Sequence, residues 1–268
     1  MEKLYTLLAL TISFGVSAQI TVENTTASGT LSTAIGYFTE ASGDGSTAMG
    51  VDTTASGLEA TAMGYNTVSS GVRSTAVGSE TTSSGDFSTA MGLVTTASGT
   101  DATAMGAFTE ASGNTSTAMG RTTEASGIYS TAMGVLTTAS GNMSTAMGAS
   151  TVASGNTSTA MGYSTEASGG YSTAMGFYTT ASGIRSTAMG FYTTASDYGS
   201  LVIGRSNLLG STVTNSATEF STDNTAFVIG NGANTDNRSD ALTVLFDGTT
   251  TIAGDLSINS DARLKANI

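Results

Sequence analysis

Residues 109–122 read Thr-Glu-Ala-Ser-Gly-Asn-Thr-Ser-Thr-Ala-Met-Gly-Arg-Thr, and this stretch decides the fold because it recurs. Residues 123–136 keep its Thr, Ala, Ser-Gly and Ser-Thr-Ala-Met-Gly in the same places. The pattern T-x-A-S-G-x-x-S-T-A-M-G-x-x runs without insertion or deletion from about Thr25 to Gly204. Self-similarity at a fixed period marks a stack of units, each packing only on its neighbours. A glycine falls every seven residues, where a positive φ or a close backbone approach carries no Cβ penalty. Fourteen residues therefore predict two short strands and two tight corners per turn, an all-β parallel roll.

Alternation along a strand puts Thr47 and Met49 on one face and Ala48 on the other. The methionines form one row: Met49, Met63, Met91, Met105, Met119, Met133, Met147, Met161, Met175 and Met189, with Ile35, Val77 and Ile203 as apolar substitutes. On hydrophobicity this row is expected to fill the inside of the roll. The alanine rows, Ala48 and Ala55 among them, are expected where nothing larger fits. The apolar content per turn is small against the backbone entropy of ordering fourteen residues. Association of copies through the alanine faces, as a homotrimer, is the expected remedy. Thirteen turns at one strand spacing each give a rod on the order of 60 Å long.

The composition narrows the function. The chain has 268 residues with 34 Gly, no Pro, no Cys, no His and no Trp, and its formal net charge is −12. Without His or Cys most metal sites and nucleophile–base pairs are excluded, and no cofactor or metal site is expected. Between Ile20 and Ser200 the only cations are Arg73, Arg121 and Arg185, too few to hold a nucleic-acid backbone. Glu40, Glu110, Glu124 and Glu166 recur at one repeat position, so they do not converge on a cleft as glycosidase carboxylates must. The chain is not expected to be an enzyme.

Residues 1–18 read as a secretory signal peptide: Lys3, an apolar run from Leu4 to Val16, then Val16-Ser17-Ala18 as a cleavage pattern. No other stretch is apolar enough to cross a bilayer, so the mature chain is expected to be exported without a transmembrane segment. The variable pairs after each glycine lie at corners, and several are aromatic: Tyr37-Phe38, Phe177-Tyr178 and Phe191-Tyr192. Exposed aromatics in a row are candidates for a contact surface. Residues 19–204 form the repeats and 205–240 a degenerate turn and connector, with Ala226 to Gly230 as a last repeat-like strand. Residues 241–259 are expected to form a β neck in which Leu242 to Phe246 pairs with Thr249 to Ile252 across Asp247-Gly248.

In Ser46-Thr47-Ala48-Met49-Gly50 and Ala55-Ser56-Gly57 the repeat resembles the haemagglutinin-type head repeat of trimeric autotransporter adhesins, over about two-thirds of the chain. The resemblance implies a left-handed parallel β-roll, three chains side by side, and adhesion to a host or matrix protein or glycan. The family's heptad stalk and C-terminal membrane anchor have no counterpart in this sequence. Residues 260–268, Ser-Asp-Ala-Arg-Leu-Lys-Ala-Asn-Ile, resemble the opening of the intramolecular chaperone domain of phage tail spikes, a self-cleaving serine-peptidase type. That resemblance implies cleavage at Ser260–Asp261 with Ser260 as nucleophile and Lys265 as candidate base. Only the opening motif is present, so no self-cleavage is expected of this chain. An ice- or crystal-surface binder is the alternative, which needs the threonine row of Thr33 and Thr47 exposed beside a second exposed row. A phage-like tail fibre is another.

Overall fold

A computed structural model describes residues 23–209 and 216–255. The expected signal peptide and the Ser260, Asp261 and Lys265 motif lie outside these residues. The repeats form a parallel β-solenoid with one short and one long strand per turn, for example Thr54–Ala55 and Thr61–Tyr65. The short strands make a 13-stranded sheet and the long strands the bulk of a 16-stranded one. Every pairing within the roll is parallel with a register of fourteen, as in Ala118↔Ala132 and Met119↔Met133. Because identical residues stack on each other, each row in the sequence becomes a column along the axis.

The inside of the roll differs from the hydrophobic expectation. Ala48, Ala55, Thr53 and Ser46 are fully buried, and their equivalents recur in turn after turn. The methionines point outward and are half-buried, with Met91 at 38% exposure. The ten-methionine row is therefore not the core of the chain, and the alanine faces are not available to other copies. The reason is width. From Thr39 to Ala195 the buried inner columns hold nothing larger than threonine, with alanine, serine and threonine repeating turn after turn. The two sheets close over methyl and hydroxyl groups, and methionine is excluded by size despite its hydrophobicity.

The corners carry conformations that the sequence does not announce. Only one of the two glycine columns has positive φ, Gly50 at 128° and Gly120 at 125° among them. The left-handed residues themselves sit two places after each glycine and are mostly not glycine: Val94, Phe108, Thr115, Thr122 and Tyr178 are examples. Each costs about 1–2 kcal/mol relative to a right-handed conformation. Their N–H groups hold them in place by donating to the previous turn, Thr122 to the Ala107 carbonyl at 2.8 Å and Thr115 to the Thr100 carbonyl at 2.7 Å. At the same corners Asp44, Asp86, Asn114 and Asn142 accept a backbone N–H from one turn earlier.

The roll ends by substitution at the repeat's own positions. Asn207 stands where the pattern has Thr, and its side-chain amide accepts from the Thr194 N–H at 2.8 Å and donates to the Thr194 carbonyl at 2.9 Å. It supplies to the last short strand the bonds that the next turn supplies elsewhere. Asp197 stands where the pattern has Gly, and its Oδ2 accepts from the Thr225 N–H at 2.9 Å. The long sheet continues without the short one. Thr225–Asn231 pairs in parallel with Leu201–Arg205, Asp240–Leu245 turns back antiparallel, and Thr250–Ile252 closes the meander. The degenerate repeat and the hairpin expected of this region are both present.

Candidate functional site

The roll presents two unlike surfaces. The outer face of the long sheet carries the threonine column through Thr47, Thr61 and Thr187 and the methionine column, with no charge in either. The outer position of the short sheet carries Glu40, Glu110, Glu124 and Glu166, all exposed, interspersed with threonine and valine. The threonine column is half-buried and its neighbour on that face is the methionine column, not a second hydroxyl row.

The six candidate aromatics fall into two groups at opposite ends of the roll. Tyr37 and Phe38 meet edge to face at 4.3 Å in an early turn. Phe177, Tyr178, Phe191 and Tyr192 gather near the C-terminal end, joined by Tyr163. Tyr163, Phe177 and Phe191 stack as a column with ring centres 5.0 Å apart at each step. Tyr178 stacks on Tyr192 at 4.8 Å. The Arg205 guanidinium caps the phenylalanine column 5.3 Å from the Phe191 ring centre. These rings spend their faces on each other and offer rims to the outside. Parallel in-register strands bring like side chains to one strand spacing, which suits offset stacking. Composition alone shows aromatic pairs at corners; the stacking follows only once the register is known.

On the opposite corner Arg185 lies between Tyr171 and Tyr198, 6.0 and 5.4 Å from their ring centres, and Arg73 donates to Glu59 at 2.7 Å. Such exposed pairs contribute little on their own. At the C-terminal end a cleft of about 190 Å³ opens between the last short strand and the meander, lined by Thr194, Asp197, Val202, Val228 and Leu245 among others. Asp240 at its rim accepts from the Leu208 N–H and the Thr243 hydroxyl, and burial holds its carboxyl above the ordinary value. Among the described residues no helix is long and apolar enough to cross a membrane.

An in-register 14-residue roll with small residues inside and uncharged columns outside defines the protein as a parallel β-solenoid of like turns. A family model described as YadA head domain repeat matches residues 27–53, 41–67, 55–81, 69–93, 97–123, 125–151, 153–179 and 181–207. The chain belongs to this family, whose members are heads of trimeric autotransporter adhesins. No curated protein matches the sequence.

Proposed function

We propose that the chain is the exported head of a homotrimeric cell-surface fibre and that copies meet through the outer face of the long sheet. One observation carries this reading: the threonine and methionine columns stay uncharged for the length of the roll and are half-exposed in a single chain. In a protein of net charge −12 such a face favours close contact between identical chains, whereas the face with Glu110 and Glu124 opposes it. Heads of this family form homotrimers in general, and residues 1–18 have the pattern of an export signal.

The corners, which vary from turn to turn, then face outward and offer the surface for a host or matrix protein or glycan. Tyr37-Phe38 and the cluster around Phe177, Tyr178, Phe191 and Tyr192 are the first residues to test. If the chain continues past residue 268 into a complete chaperone domain, Ser260–Asp261 is the bond that domain would cleave. No chemical reaction on a ligand belongs to this reading. The adhesive role is tested with beads coated with the chain on a panel of matrix proteins and glycans. Retention on some surfaces that Phe177→Ser and Tyr178→Ser together weaken is expected; trimeric protein that is retained nowhere contradicts it.

A further inference from the structure

Methionine is an odd choice for its column. The position lies mid-strand, where β-branched residues fit best, and Ile35, Val77 and Ile203 show that the roll accepts them there. Yet the chain places ten of its 12 methionines on this one column. Eight of them, Met91 through Met189, occupy consecutive turns in strict register, as in Met105↔Met119 and Met147↔Met161. Met49 and Met63 form a further adjacent pair. Their side chains are half-exposed, and outside the column the only thioethers are Met1 and Met143, the protein having neither Cys nor His.

The spacing suits a particular ligand. Successive turns, and so successive methionines of the column, are about 4.8 Å apart along the axis. Zinc–thiolate bonds are about 2.3 Å, and two metal–sulfur bonds of that order placed end to end roughly match this spacing. Thioethers select soft monovalent cations over the hard divalent ones that oxygen ligands hold, and the flexible methionine side chain adjusts to the small difference. We infer that the Met91–Met189 column is a binding track for soft monovalent cations, Ag(I) or Cu(I), each held between the thioethers of two successive turns. Both donors come from one chain, so the inference stands apart from the trimer. Three columns facing a common axis would add donors at each level. The acidic surface would draw cations toward the roll.

The test uses the full chain in chloride-free buffer with Ag(I) as the redox-stable probe. Equilibrium dialysis should show several Ag(I) bound per chain, and the methyl signals of ¹³C-labelled methionine should shift on addition. A variant with Met105, Met119, Met133 and Met147 all changed to Ile keeps residues the position already tolerates. It should lose the sites that those four provide, with an unchanged β circular-dichroism spectrum. Equal Ag(I) uptake by this variant, or methionine methyl signals that do not move, would overturn the inference and leave the column as a plain apolar contact. Sedimentation of the same samples reports the oligomer separately. A trimer without Ag(I) binding sinks the cation track alone, and a monomer that binds Ag(I) keeps the track while contradicting the trimer.

Discussion

Gly120 and Gly134 are stacked so closely that a Cβ on Gly120 would stand 2.0 Å from the Gly134 carbonyl oxygen. Gly120 also has φ at 125°, so an L side chain there is strained in conformation as well as in space. Gly120→Ala should destabilise the roll by at least about 3 kcal/mol, among the larger effects of single substitutions. Thermal unfolding by circular dichroism checks this; a midpoint within a degree or two of the parent would show that turns can separate without cost.

At the left-handed corners the effect reverses. Thr122 is β-branched and sits at φ 53°, the conformation least suited to it. Thr122→Gly should raise stability by up to about 1 kcal/mol, the removed strain being offset in part by the entropy of glycine. The same change at Thr117, in a strand, should lower it. Denaturant midpoints for the two variants should move in opposite directions.

Inside the roll the hydroxyls of Thr123 and Ser130 are buried without a hydrogen-bond partner among the described residues. Replacing such a group by a methyl of similar shape is neutral or stabilising, in contrast to removing one partner of a bonded pair. Thr123→Val should hold or raise the midpoint. Ser130→Ala should leave it unchanged, since Ala60 and Ala102 already occupy that column. Ser74→Ala is the control, because Ser74 bonds both Ser69 and the Gly71 carbonyl, and it should lower stability.

The C-terminal meander should respond to pH through Asp240. Burial raises this carboxyl more than the bonds from Leu208 and Thr243 lower it, so the folded state disfavours its ionised form. Its contribution to stability is therefore full below the unfolded carboxyl value of about 3.9 and declines as pH rises through the raised folded value. Asp240→Asn keeps an acceptor but no charge. At neutral pH it should slow amide exchange across residues 240–252, and the difference from the parent should vanish as pH falls toward 4.

The turn length, the parallel stack and the closing hairpin were legible because each depends on period and alternation. The parity of Thr47, Ala48 and Met49 was legible too, but not which side faces in. Hydrophobicity favoured Met49 and volume favoured Ala48, and volume prevails because the two sheets close over residues no larger than threonine. A signal for it was present in the company Ala48 keeps, since Ser46, Thr53 and Ala55 are all small. Asn207 and Asp197 stood out as breaks in the pattern, but their capping bonds to Thr194 and Thr225 emerge only where the short sheet stops. The candidate aromatics were named one by one, whereas the stacking of Phe177 on Phe191 belongs to the register.

The central claim is that alanine closes the roll from within while the outward methionine face joins copies. Sedimentation equilibrium at micromolar concentration tests it, with the parent chain beside a variant carrying Met119→Lys, Met133→Lys and Met147→Lys. The account predicts the mass of three chains for the parent, and one chain with the same β spectrum for the variant. A monomeric parent, a variant that remains trimeric, or a variant that unfolds as a core substitution would, contradicts it.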